Sequence, residues 1–218
     1  MCGIAGLIHR GKSSDVGNEL QLMLQALKHR GPDSTGYALY ADNDGENFIM
    51  RFKVGENVGE GSTSVNEDDS VYDKRKELVD QMLKNLNATV VKEEKLTPYS
   101  YRYEMKYDQD LMEFSKKIES IESVEILSIG KSLELIKDLG DAQAVSERYD
   151  LGKVKGTHGI GHARMATESG VDIKSAHPFW GYPFSDVSVV HNGQLTNYWN
   201  NRRVLENKGM RFMSECDS

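Results

Sequence analysis

The chain opens Met1-Cys2-Gly3-Ile4-Ala5-Gly6-Leu7-Ile8-His9-Arg10-Gly11. Gly3 to His9 is a short apolar run closed by the turn Arg10-Gly11, which is the pattern of a buried strand. A cysteine stands at its head. A small residue at position 2 generally permits removal of the initiator Met, which would place a thiol and a free α-amine on one residue. That amine, with an ordinary pKa of about 7.7–8.0, is partly unprotonated near neutrality. It can take the thiol proton directly or through a water, so the nucleophile needs no separate histidine. Gly3, Ala5 and Gly6 would let backbone and substrate approach closely. Taken alone, a cysteine here is equally one more small apolar residue in a buried strand. The rest of the chain decides between the two.

Outward from this strand, apolar spacing at Leu20, Met23, Leu24 and Leu27 predicts a helix over 16–28. His29-Arg30-Gly31-Pro32-Asp33-Ser34-Thr35-Gly36 is a loop punctuated by Gly and Pro. Strands are expected at 37–41 and 48–54, around the turn Asp42-Asn43-Asp44-Gly45. Residues 55–69 have the composition of an exposed linker. A charged amphipathic helix is expected over 71–85, strands over 88–95 and 99–107, a helix over 110–121 and a strand over 124–129. Residues 131–149 look helical in two pieces, broken near Gly140. The block 55–155 is either an inserted α+β unit of its own or an extension of the main core. After Gly156 the chain is rich in Gly and His; a strand is expected over 187–191 and a helix over 196–207, stopped at Gly209.

The chain has 218 residues, 38% hydrophobic and 28% charged, which suits one sizeable core with or without a smaller unit. Its net charge of −7 and lack of a basic stripe argue against a nucleic-acid or membrane-surface partner. No segment approaches the run of about 20 apolar residues that a membrane helix needs, and the opening lacks a signal peptide's basic start. A cytoplasmic location is the expectation. Cys2 and Cys216 make no disulfide framework, and without CxxC or a helical His pair no metal site is expected.

Five segments in order carry a family resemblance. They are Met-Cys-Gly-Ile-Ala-Gly at 1–6, His-Arg-Gly-Pro-Asp-Ser-Thr-Gly at 29–36, Gly-His-Ala-Arg-Met-Ala-Thr at 161–167 with Ala-His-Pro-Phe at 176–179, Val-Val-His-Asn-Gly at 189–193, and Ser-Glu-Cys-Asp-Ser at 214–218. The series resembles the class II glutamine amidotransferases of the N-terminal nucleophile hydrolase fold. The resemblance implies an α+β, four-layer αββα sandwich whose glutaminase domain takes in 1–54 and 156–218, with 55–155 as the inserted block. In that family a further stretch follows the last motif, so a chain ending at Ser218 is expected to be a fragment or to have its remainder on another chain.

The resemblance also assigns roles. Cys2 attacks the side-chain amide of L-glutamine, releasing ammonia and leaving a γ-glutamyl thioester that water hydrolyses. Asn192 and the Gly193 N–H match the oxyanion hole that each tetrahedral intermediate needs. An Asn-Gly pair by itself is most often a hairpin turn. Arg164, with its planar fork, grips the α-carboxylate of the substrate. Asp217 holds its ammonium group, and Thr167 shapes the same loop. Arg30 and Asp33 pin the turn under the site, and His177 and His191 are scaffold histidines. Met165 and Glu168 depart from the family, where an aromatic residue and a histidine or glutamine are common.

The long middle block, with Glu125-Ile-Leu-Ser-Ile-Gly-Lys-Ser and Lys137-Asp-Leu-Gly-Asp, is similar to stand-alone amidotransferase subunits of split glutamate synthases. The resemblance implies no cofactor in this chain and a separate synthase chain, carrying flavin and possible iron–sulfur centres, as ammonia acceptor. Otherwise the acceptor is a missing C-terminal domain. A methylamine–glutamate relative, the phosphoribosyl-pyrophosphate and fructose-6-phosphate amidotransferases, a penicillin-type acylase and a non-catalytic regulatory module are the alternatives.

Overall fold

A computed structural model describes residues 2–31, 33–55, 68–165, 173–210, 212, 214, 216 and 217. In chain order its elements are β1 (Gly3–Ile8), α1 (Val16–Ala26), a 3-10 turn (Lys28–Arg30), β2 (Ser34–Ala41), β3 (Phe48–Lys53), α2 (Asp69–Asn85), β4 (Thr89–Thr97) and β5 (Ser100–Lys106). There follow α3 (Leu111–Ile118), β6 (Glu125–Gly130), β7 (Leu133–Leu139), α4 (Ala142–Arg148), a second 3-10 turn (Leu151–Lys153), β8 (Gly156–Arg164), β9 (Phe179–Trp180), β10 (Ser188–Val189) and α5 (Tyr198–Asn207). The fold is α+β. One four-stranded sheet runs β1-β8-β2-β7 and a second runs β4-β5-β3-β6, with every pairing antiparallel; β9 and β10 form a separate ribbon.

Each sheet buries helices against one face. In α1, Val16, Leu20 and Leu24 recur at helical spacing and pack with Ala142 and Val145 of α4 against Tyr37, Leu39 and Ile136. Gly17 permits this approach, because a Cβ there would stand 1.8 Å from the Leu151 carbonyl oxygen. In the second sheet, Met50, Phe52, Tyr101, Tyr103 and Met105 pack with Tyr72, Val79 and Leu83 of α2 and with Phe114 and Ile118 of α3. Asp68 and Asp110 cap those helices, accepting from Ser70 N and from Met112 N and Glu113 N. Burial of each such large side chain is worth about 1.5–3 kcal/mol.

The sheets meet through the alternate residues. Ala38, Leu133 and Leu135 pack with Leu127 of the second sheet. Beside them lie buried charges: Glu134 of β7 accepts from Arg51 of β3 and from Arg102 of β5. Lys137 pairs with Glu125 at 3.0 Å, and Asp138 accepts from Tyr99 and Tyr149.

These contacts correct one expectation. Residues 131–149 are not helical in both pieces: 133–139 is β7, and only 142–148 is helix, with Gly140 at φ +110° between them. The charged residues of Leu-Glu-Leu-Ile-Lys-Asp-Leu are buried, Glu134 and Lys137 being paired across the sheets. Strand pairing also joins 1–54 to 55–155, since β7 pairs with β2 and β3 pairs with β5 and β6. The expected strand at 187–191 is only Ser188–Val189. Most of the expected linker, residues 56–67, lies outside the described residues. No helix among the described residues is long and apolar enough to cross a membrane.

Candidate functional site

β8 builds the site because it lies between β1 and β2. Its register sets Gly3 opposite Ala163 on one side and Ser34 opposite Arg164 on the other. Cys2, one residue before β1, therefore lies beside the end of β8. Its Sγ is 4.0 Å from the Met165 carbonyl oxygen, and the residue is partly buried.

The 29–36 loop closes beneath that end. Asp33 N donates to the Arg164 carbonyl at 3.2 Å, and the Asp33 carbonyl accepts from Gly140 N at 3.0 Å. Arg30 closes the 3-10 turn, its N donating to Leu27 O. Gly31 is pressed against the strand: a Cβ there would be 2.5 Å from the Arg164 carbonyl carbon. Gly36 does the same toward the 176–179 segment, where a Cβ would be 2.0 Å from the His177 carbonyl oxygen.

Asn192 reaches the same place from the far end of the chain. Its Nδ2 donates to the Cys2 carbonyl oxygen at 3.3 Å, and its Oδ1 lies 2.8 Å from His162 Nε2. Gly193 follows on the surface, so close to its neighbour that a Cβ would sit 2.8 Å from His191 Nε2. Asp217 is tied into this loop, its Oδ2 accepting from Leu195 N. The preceding Cys216 instead lines a cavity of about 390 Å³ beside β6 and β9, whose walls include Lys137, Phe179 and Phe212 but not Cys2, Arg164 or Asn192. Both cysteines are free thiols.

His177 is buried with its ring centroid 4.9 Å from that of His162. Desolvation, with the neighbouring His162 and Lys137 adding to it, pushes the His177 pKa down to about 3; burial lowers that of His162 as well. Burial thus favours the neutral form of both rings.

Of the residues singled out from sequence, Cys2 and Asn192 meet beside the end of β8 formed by Arg164, and Asp33 and Arg30 lie in the loop beneath; Asp217 is bonded to Leu195, His177 packs against His162, and Thr167 lies outside the described residues. His162 was not singled out. Its signal was its place in Gly-His-Ala-Arg, which puts the ring one residue from Ala163 in the central strand and opposite the side-chain-free Gly36. Among the described residues no three His, Cys, Asp or Glu side chains are grouped to hold a metal ion.

No protein-family model matches the chain. The protein of Methanothermobacter thermautotrophicus named "Putative glutamine amidotransferase" is 38% identical over 232 aligned residues, spanning all of this chain and 69% of that protein. The "Glutamine amidotransferase-like protein GlxB" of Rhizobium meliloti is 31% identical over 222, spanning all of this chain and 67% of that protein. A glutamine–fructose-6-phosphate aminotransferase of M. thermautotrophicus is 34% identical over 110 residues, half of this chain and 18% of that protein. With full-length coverage at that identity, the chain belongs to the glutamine amidotransferase family.

Proposed function

We propose that the chain is the glutaminase component of an amidotransferase, with Cys2, exposed as the N-terminal residue, as its nucleophile. The observation that carries this is the meeting of the Cys2 thiol, the end of β8 at Arg164–Met165, and the Asn192 amide at the head of one strand. The two sheets and their flanking helices are then the layers of an αββα sandwich of the N-terminal nucleophile hydrolase type.

The chemistry follows from the groups present. The Cys2 α-amine takes the thiol proton, and the thiolate attacks the γ-carboxamide carbon of glutamine. The negative charge that develops on the amide oxygen is met by Asn192 Nδ2–H and Gly193 N–H. Collapse breaks the C–N bond. The α-ammonium returns its proton to the departing nitrogen, which leaves as ammonia, and a thioester remains on Sγ. A water, giving its proton to the same amine, attacks the thioester; a second tetrahedral intermediate collapses to glutamate and the free thiol. Arg164 and Asp217 hold the α-carboxylate and α-ammonium of the substrate, a pairing of opposite charges at each end. A retained Met1 would acylate the nitrogen that acts as base and stop the reaction.

The ammonia acceptor is a separate glutamate-synthase-type chain bearing flavin and iron–sulfur centres, or a C-terminal synthase domain; this rests on the resemblance of the middle block alone. The test of the nucleophile is labelling of Met-trimmed protein with 6-diazo-5-oxo-norleucine followed by peptide mass spectrometry. A single adduct on Cys2, blocked by glutamine, is expected. An adduct elsewhere, or none on folded protein, overturns the assignment and favours a non-catalytic module.

A further inference from the structure

His162 is 2% exposed in the central strand and takes no part in the steps above. Its contact with Asn192 nonetheless fixes a chemical detail on which those steps depend. The Cys2 carbonyl oxygen can only accept a hydrogen bond, so the end of the Asn192 amide 3.3 Å from it must be the NH2 group. The other end, Oδ1, then faces His162 Nε2 at 2.8 Å, and an amide oxygen also can only accept. The proton on the imidazole is therefore on Nε2. Nδ1 of His162 is buried without a hydrogen-bond partner among the described residues. The Nε2–H tautomer leaves an unused lone pair there, whereas the alternative would bury an orphaned N–H, the rarer and costlier arrangement.

Gly36 of β2 stands opposite His162 and lets the His177–Pro178 backbone approach, which brings the His177 ring centroid to 4.9 Å from that of His162. Asn192, by contrast, is exposed in a loop and has little packing to choose between its two amide orientations. A flipped amide would point an oxygen at the developing oxyanion and repel it.

We propose that His162 is a positioning residue: its Nε2–H holds the Asn192 amide so that Nδ2–H faces the oxyanion, without itself touching substrate. This rests on the oxyanion role given to Asn192 above. Because the flipped amide is unproductive only where negative charge develops, loss of the donor acts on turnover and spares the binding of glutamine.

The experiment compares His162→Leu, His162→Asn and His162→Gln in the full chain with Met1 removed, each checked for a cooperative thermal transition. The Gln amide nitrogen reaches close to the position of imidazole Nε2; the Asn nitrogen falls short of it. The Leu and Asn variants are expected to lose about 10- to 100-fold in kcat, with KM for glutamine within about twofold of wild type. They should lose affinity by a similar factor for glutamate γ-semialdehyde, whose adduct with the Cys2 thiol carries a tetrahedral oxyanion, and keep their affinity for glutamate. Gln should restore most of both. Should Leu not fold, the Asn–Gln contrast carries the test. Wild-type kcat in the Asn or Leu variant overturns the proposal, as does equal weakening of glutamate and semialdehyde or a Gln variant no better than Asn. If Cys2→Ala retains wild-type ammonia release, the glutaminase reading itself falls, and with it any oxyanion for His162 to serve.

Discussion

Arg164 ends β8, its carbonyl tied to Asp33 N at 3.2 Å and the next carbonyl, that of Met165, 4.0 Å from the Cys2 thiol. The backbone at this point is thus held on both sides, and Arg164 is partly buried. If it grips the substrate carboxylate through charge-assisted hydrogen bonds, Arg164→Ala should cost about 2–3 kcal/mol in kcat/KM for glutamine, most of it as raised KM. Steady-state ammonia release checks this, and unchanged kinetics would remove Arg164 from the binding role. At this scale the sequence showed what motifs can show. Cys2, Asn192 and Arg164 lie in segments whose order is recognisable, and the strands bring those segments together. His162 was missed because its place in Gly-His-Ala-Arg marks a strand position but not its partner, which lies 30 positions away.

β7 shows where element-level reasoning goes astray. Its sequence mixes apolar residues with Glu134, Lys137 and Asp138, and a charged residue in such a run is ordinarily a solvated one. Here each finds its counterpart in the second sheet, in the turn between β4 and β5, or on α4 and the residue following it: Glu134 in Arg51 and Arg102, Lys137 in Glu125, Asp138 in Tyr99, Tyr149 and Arg148. Those partners lie on other elements, so the pattern within β7 does not reveal them, whereas β1, α1, β3 and α2 announce themselves through their own periodicity. The pairing has a measurable consequence. Although burial alone would raise it, the Glu134 pKa is held down to about 2 by Arg51 and Arg102, from an ordinary value of 4.5. A carboxylate depressed in the folded state stabilises fully above its unfolded pKa and loses that contribution as pH falls toward the folded value. Urea unfolding should therefore show a fall in stability between about pH 4.5 and about pH 2 that Glu134→Gln flattens. At pH 7 the same variant, which takes the carboxylate from the buried Arg51 guanidinium, should lose about 3–5 kcal/mol. A variant as stable as wild type at pH 7, with the same acid profile, would contradict the account of this layer.

Across the whole molecule, the two sheets are sewn together by the chain itself. β2 passes into β3 and β6 passes into β7, so each passage carries the backbone from one sheet to the other. An acidic, motif-bearing sequence was enough to suggest an α+β fold and a glutaminase. It could not show how 55–155 interleaves with its flanks, because that depends on long-range strand pairing rather than composition. The purpose of the arrangement, in this account, is to hold β1 beside β8 so that one thiol stands at the head of the first strand, next to the Asn192 amide. The direct measurement is glutamine-dependent ammonia release by the full chain with Met1 removed, set against Cys2→Ala verified as folded. The account predicts release by the first and, in the second, loss of at least about 10³-fold, to background. Release at the wild-type rate without the Cys2 sulfur would contradict it.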